Sequence, residues 1–126
     1  MSTKAKIFIV EDSLDTIHHL KIYLEKSFDC DLTVAHAGDE AIQVLKGGGE
    51  FDLIICDFMM SPGTGLDVLH FLSDSGSHTP FILYSAQARD LQRHKSDICR
   101  AVIDKMKIEE LVKTVGQLIG QKDKDW

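Results

Sequence analysis

Three short runs of this chain are apolar or aromatic at every position, and they constrain the fold more than any other feature. The runs are Ile7–Val10, Leu53–Cys56 and Phe81–Tyr84. A strand that is apolar along its whole length has both faces covered, which is typical of parallel sheets in α/β proteins. Segments with apolar residues at helical spacing lie between the runs. The alternation therefore predicts an α/β domain with a parallel sheet.

Five strands and five helices alternate along the chain, because shorter strand signals occur at 31–35 and 101–103. The apolar positions of the five helices are Leu14, Ile17, Leu20, Leu24 and Phe28; Ala41, Val44 and Leu45; Leu66, Leu69 and Leu72; Ala88, Leu91 and Ile98; and Ile108, Leu111, Val112, Val115, Leu118 and Ile119. The fourth helix, predicted over 87–98, has few apolar anchors for its length. We therefore expect it to be marginal and mobile.

Length and composition indicate one domain covering residues 1–126, with a core at about 4–120 and a polar, frayed tail at 121–126. The net charge of −6 argues against direct nucleic-acid binding. No apolar run is long enough for membrane insertion and no signal sequence is visible, so a cytoplasmic location is expected. The cysteines are far apart, which predicts neither a disulfide framework nor a zinc site; they are Cys30, Cys56 and Cys99.

Acidic residues follow two of the apolar strands. Glu11 and Asp12 come directly after the first strand, and Asp57 follows the third. The carboxyl ends of parallel strands share one edge of the sheet, where α/β proteins bind ligands. Two carboxylates about 4 Å apart repel by roughly 4 kcal/mol at an effective dielectric near 20. The cluster therefore needs a cation, a proton or a basic side chain.

Two more polar residues stand at strand ends: Ser85 after the fourth strand and Lys105 just past the fifth. The chain thus contains an acidic pair, then an aspartate, then a serine directly followed by an alanine, and finally a lysine. In this order and spacing, these residues resemble the receiver domain of two-component response regulators. The resemblance extends from about Lys4 to Gly120. It implies a flavodoxin-like doubly wound sheet of five strands in the order 2-1-3-4-5, with five helices.

The resemblance also implies a phospho-accepting switch rather than an enzyme. Asp57 would accept a phosphoryl group from a sensor histidine kinase or a histidine phosphotransfer protein, and a downstream target protein would read the change. Lys105 would neutralise Asp57 and then a phosphoryl oxygen, while the Ser85 hydroxyl would donate to another oxygen.

The same resemblance also implies a metal site. Asp12 and Asp57 would bind Mg²⁺ directly, Glu11 would bind it through water, and the backbone carbonyl of Met59 could add a ligand. Few protein oxygens combined with several waters suit Mg²⁺ better than Ca²⁺.

The chain departs from the family pattern at positions near the lysine. Met106 follows Lys105 where most receivers have a proline after a cis bond, so we expect a trans bond and a reshaped loop. Val102 stands where a switching tyrosine or phenylalanine is usual. We therefore expect the signal to pass through Tyr84 or through ordering of the fourth helix.

Other functions remain open from the sequence. Each residue has a plain structural role: Asp12 could cap the first helix, Ser85 could cap the fourth, and Lys105 could be a solvated surface charge. The departures at Val102 and Met106 favour an alternative function, a phosphorylation-independent receiver-like interaction module. A hydrolase forming an aspartyl phosphate is disfavoured, because Met59 stands where such phosphatases have a second aspartate.

Overall fold

The protein is an α/β sandwich, shown by a computed structural model that describes residues 4–124. Five parallel strands form one sheet in the order β2-β1-β3-β4-β5, which confirms the predicted topology. The strands are β1 Ala5–Val10, β2 Cys30–Ala35, β3 Leu53–Cys56, β4 Phe81–Ser85 and β5 Cys99–Asp104. Residues 1–3 and the tail residues 125–126 lie outside the described residues.

Five helical segments connect and follow the strands. Four are α-helices: α1 Leu14–Ser27, α2 Gly38–Lys46, α3 Gly65–Asp74 and α4 Ile108–Ile119. The remaining segment, predicted as a helix over 87–98, is a 3₁₀ helix limited to Ala88–His94. Its buried residues are Ala88 and Leu91. Little apolar surface and a poorer hydrogen-bond geometry agree with the expectation that this is the weakest helical segment.

Two apolar layers cover the sheet, which explains why its central strands have no polar face. In β1, Phe8 and Val10 contact the layer of α2, α3 and the 3₁₀ segment, whereas Ile7 and Ile9 contact the layer of α1 and α4. Successive side chains of a strand point to opposite faces, so a strand covered on both sides must be apolar throughout. Among residues 4–124, no helix has the length and apolar character needed to cross a bilayer.

Two expectations were wrong: one concerned the burial of Leu14, and the other concerned fraying of the C-terminal tail. Leu14, the first residue of α1, was expected in the apolar stripe of this helix, but 73% of its surface is exposed. The tail was expected to be frayed, but the Gln121 amide forms hydrogen bonds with the backbone N–H and carbonyl of Asp29. The Lys124 N–H also donates to the Ser27 carbonyl, so residues 121–124 dock on the end of α1.

The N-terminus of α2 packs directly on the loop between β3 and α3. The Gly38 N–H donates to the Gly63 carbonyl over 3.0 Å, and the Asp39 N–H donates to the Pro62 carbonyl over 3.1 Å. A Cβ atom on Gly38 would lie 2.5 Å from the carbonyl carbon of Gly63. The close approach of two backbones therefore requires glycine at this position.

Gly38→Ala should lower the free energy of unfolding by about 1–3 kcal/mol, because the added methyl group must displace the backbone of Gly63 and Thr64. Urea denaturation measures this difference. Gly47→Ala is the matched control, since a Cβ there meets its nearest neighbour, the Gln43 carbonyl oxygen, at an ordinary 3.4 Å. Equal stability of the two variants would contradict the prediction.

Candidate functional site

The strand register places the ends of β1 and β3 at the same level. These strands pair in parallel from Ile7 with Leu53 to Val10 with Cys56. The Asp57 N–H continues the ladder by donating to the Val10 carbonyl over 2.9 Å. Residues that follow β1 and β3 therefore meet at one edge of the sheet, as predicted.

Three carboxylates converge at this edge. Glu11, Asp12 and Asp57 each offer an oxygen, and these oxygens lie within 4.8 Å of one another. Glu11 and Asp57 are buried, with 2% and 6% of their surfaces exposed, whereas Asp12 faces solvent. Such a set of oxygen donors, close together and partly open to water, suits a hard divalent cation.

Each buried carboxylate has a backbone donor. The Ser13 N–H donates to Glu11 Oε2 over 3.0 Å, and the Phe58 N–H donates to Asp57 Oδ1 over 2.7 Å. No donor among residues 4–124 hydrogen-bonds the Asp12 carboxylate. The α1 cap is Ser13, whose hydroxyl accepts from the Thr16 N–H, so Asp12 is not needed as a helix cap.

Lys105 supplies the basic side chain that the cluster requires. Its Nζ lies 2.8 Å from Glu11 Oε1 and 2.9 Å from Asp57 Oδ2. Burial lowers the pKa of Lys105, but the hydrogen bonds with Glu11 and Asp57 outweigh it, so the net pKa is raised. Burial raises the pKa of Glu11, and the Lys105 hydrogen bond only partly opposes this. Lys105, with 22% of its side chain exposed, is therefore a partly buried counter-ion and not a solvated surface charge.

Ser85 is fully buried at the end of β4, and its backbone carbonyl accepts from the Lys105 N–H over 3.3 Å. Its hydroxyl donates to Gln87 Oε1 over 2.9 Å and accepts from the Gln87 N–H over 3.2 Å. The Ser85 side chain thus also organises the turn that enters the 3₁₀ segment. Gln87 was not predicted as a site residue; its only signal in the sequence is its position two residues after a strand-end serine, where serine turns form.

The loop after β5 contains the trans bond that was expected after Lys105. Between residues 4 and 124, Ser61–Pro62 is the only cis bond, so the Lys105–Met106 bond is trans. The Asp104 carboxylate accepts from the Met106 N–H over 2.7 Å, and the Asp104 carbonyl accepts from the Lys107 N–H over 2.9 Å. The Tyr84 hydroxyl donates to the Lys105 carbonyl over 3.0 Å, and burial raises the pKa of this phenol. These bonds hold Lys105 without a proline.

The loop after β3 leaves Met59 at the surface, with 58% of its area exposed. No donor in the described part of the chain bonds the Met59 carbonyl, which is compatible with its predicted use as a ligand. Behind it, the Gly65 N–H donates to the Phe58 carbonyl over 3.0 Å. A Cβ on Gly65 would overlap the Asp57 carbonyl oxygen, so this glycine allows α3 to begin against the site.

Comparison with known proteins gives a consistent result. The response regulator receiver domain family matches residues 7–115. The transcriptional regulatory protein YkoG of Bacillus subtilis is 34% identical over 84 residues, which cover 67% of this chain but only 36% of that protein. The Francisella response regulator 1452 receiver domain has a TM-score of 0.81 and 26% identity, covering 93% of this chain and 98% of that chain.

A second solved structure is the phosphorylated cyanobacterial phytochrome response regulator RcpA. It has a TM-score of 0.76 and 26% identity, and the match covers 90% of this chain and 92% of that chain. The family match spans most of the chain and agrees with the topology and with the grouping of acidic residues and lysine at one sheet edge. We conclude that the chain belongs to the response regulator receiver domains of two-component systems.

Proposed function

We propose that Asp57 is the phosphoacceptor of this receiver domain, and that its donor is a phosphohistidine on a sensor histidine kinase or a histidine phosphotransfer protein. The observation that carries the proposal is the Lys105 ammonium, which contacts the buried carboxylates of both Asp57 and Glu11. A partly buried lysine between two buried carboxylates places positive charge where the charge of a phosphoryl group would develop.

The proposed transfer is a direct displacement at phosphorus. A carboxylate oxygen of Asp57 forms the new P–O bond while the P–N bond of the donor breaks, and the electron pair of that bond stays with the donor imidazole. Lys105 then pairs with a phosphoryl oxygen, and the Ser85 hydroxyl donates to another. The Phe58 N–H remains available to the acceptor carboxyl group.

The divalent metal is proposed to be Mg²⁺. Asp12 and Asp57 would hold it directly, Glu11 through water, and the Met59 carbonyl would add a protein oxygen. The donor set fits, because it consists of oxygens and includes the solvent-facing Asp12 carboxylate, leaving room for the waters that Mg²⁺ retains. When bound, Mg²⁺ supplies positive charge that offsets the negative charge of the incoming phosphoryl group.

The proposed output is a change in binding to a downstream protein, with the domain acting as a switch rather than as an enzyme on a separate substrate. YkoG is a transcriptional regulatory protein, but this chain spans about a third of it, and a net charge of −6 disfavours direct nucleic-acid contact by this domain. The phosphorylated state of RcpA supports a phosphoryl-dependent switch.

Acetyl phosphate with Mg²⁺ should add one phosphoryl group to the intact protein. Mass spectrometry measures the addition, and peptide mapping at low temperature should locate it in the peptide that contains Asp57. Excess chelator should abolish it. If neither acetyl phosphate nor a phosphorylated histidine donor labels the protein, the proposal is wrong and the phosphorylation-independent interaction module becomes the better explanation.

A further inference from the structure

The 3₁₀ segment contacts the proposed acceptor site at both of its ends. At its start, Gln87 exchanges two hydrogen bonds with Ser85, one with the hydroxyl as donor and one with it as acceptor. At its end, the His94 ring stacks on Phe58, with ring centroids 6.3 Å apart and planes 24° apart. Phe58 directly follows Asp57 and donates its N–H to that carboxylate. A change at Asp57 or Ser85 can therefore reach this segment directly.

The middle of the segment is tied to β5. The Gln92 amide donates to the Ala88 carbonyl over 2.9 Å and to the Val102 carbonyl over 3.0 Å. The same arrangement leaves His94 Nε2 buried, and no hydrogen-bond partner for it exists among the described residues. A buried polar atom without a partner disfavours the conformation that buries it. The segment is thus held by a few specific bonds in an arrangement that is not fully satisfied.

The Ser85 hydroxyl has a single proton to donate. In the unmodified protein this proton is directed at Gln87 Oε1. If Ser85 donates to a phosphoryl oxygen, as the proposed function requires, the bond to Gln87 must break. A charged phosphoryl oxygen is the stronger acceptor, so the exchange favours the phosphorylated state.

We propose that Gln87 is a positioning residue: it holds the Ser85 hydroxyl while Asp57 is unmodified and releases it on phosphorylation, which frees the first turn of the 3₁₀ segment. This inference rests on the proposed function of Asp57. It gives the chain a way to relay phosphorylation although Val102 has only an apolar side chain. The surface that changes is the 87–94 segment, where Gln87, Arg89 and Asp90 are exposed.

Binding of beryllofluoride, a phosphoryl mimic, in the presence of Mg²⁺ tests the exchange. Gln87→Leu removes the competing acceptor, so its affinity for the mimic should exceed that of the wild type by about two- to tenfold, the effect of one net hydrogen bond. In a Ser85→Ala background, Gln87→Leu should have no effect, because the hydroxyl that Gln87 holds is already absent. Gln43→Leu, the same change on the exposed face of α2, is the matched control and should leave the affinity unchanged.

Amide hydrogen exchange provides a second readout. The Asp90 N–H donates to the Gln87 carbonyl over 3.0 Å and reports on the first turn of the segment. The mimic should lower the protection of this amide by about two- to tenfold in the wild type, consistent with the loss of one hydrogen bond, and should not lower it in Ser85→Ala.

The outcomes separate the inference from the function on which it rests. If the wild type does not bind the mimic, or Asp57→Asn binds it equally well, the proposed function fails. If the wild type binds but Gln87→Leu has wild-type affinity, or its gain persists in Ser85→Ala, the function stands and the role of Gln87 is refuted. Unchanged protection of the Asp90 amide would also refute it.

Discussion

Asp57→Asn should abolish phosphoryl uptake from acetyl phosphate and from a phosphohistidine donor. The amide nitrogen and oxygen of asparagine are poor nucleophiles, and the substitution removes one of the charges that would attract Mg²⁺. The fold should be retained, because asparagine has nearly the same size and its Oδ1 can still accept from the Phe58 N–H. The measurement is the intact mass after incubation with the donor and Mg²⁺.

Asp74→Asn is the matched control for this loss. It makes the same change of charge at an exposed residue. Asp74 is the last residue of α3, at the opposite end of this helix from Gly65, which lies against the site, so the substitution should leave uptake unchanged. Full uptake by Asp57→Asn would contradict the prediction and would show that another carboxylate, Glu11 or Asp12, accepts the phosphoryl group. Peptide mapping of the labelled variant would then identify the residue.

Lys105→Met should reduce both stability and phosphoryl transfer. Without the ammonium group, the buried carboxylates of Glu11 and Asp57 face each other with no counter-ion, which costs about 2–3 kcal/mol after allowance for the partial exposure of Lys105. Phosphoryl uptake should slow by about 100-fold, since the group that stabilises charge at the acceptor is lost. Urea denaturation and the rate of labelling measure the respective effects.

Millimolar Mg²⁺ should restore most of the lost stability of Lys105→Met, because a divalent cation bound by the same carboxylates replaces the missing charge. Lys107→Met is the control, since Lys107 lies in the same loop but its side chain is exposed and contacts neither carboxylate. If Lys105→Met is as stable as the wild type at neutral pH without metal, Glu11 is protonated and the proposed charge arrangement is wrong.

The strand order and the grouping of site residues could be predicted because their signals are local. Apolar runs mark strands buried on both faces, and polar residues directly after them must reach one edge of the sheet. The 3₁₀ helix could not be predicted, because it depends on hydrogen bonds to a neighbouring strand, such as that from the Gln92 amide to the Val102 carbonyl, which local sequence patterns do not show. The exposure of Leu14 was missed because helical periodicity does not show where the first turn of α1 leaves the core.

The site was predictable in its members but not in its hydrogen bonds. The positions of Glu11, Asp57 and Lys105 follow from the topology, whereas the bond from the Tyr84 hydroxyl to the Lys105 carbonyl depends on where a long side chain ends. The same holds for the contact of Ser85 with Gln87, which links residues that are near in sequence through side-chain conformations. Sequence patterns specify which elements meet, and side-chain packing decides which atoms pair.

Because β1 and β3 end at the same level, the position of the candidate site depends more on the lengths of these strands than on their composition. A single-residue deletion inside β3 would turn Asp57 to the opposite face of the sheet, whereas exchange of Ile54 or Ile55 for another branched apolar residue would leave it in place. Insertions and deletions in the central strands are therefore more damaging to the site than exchanges of one branched apolar residue for another. This explains how chains with only 26% identity can share the fold at a TM-score of 0.81.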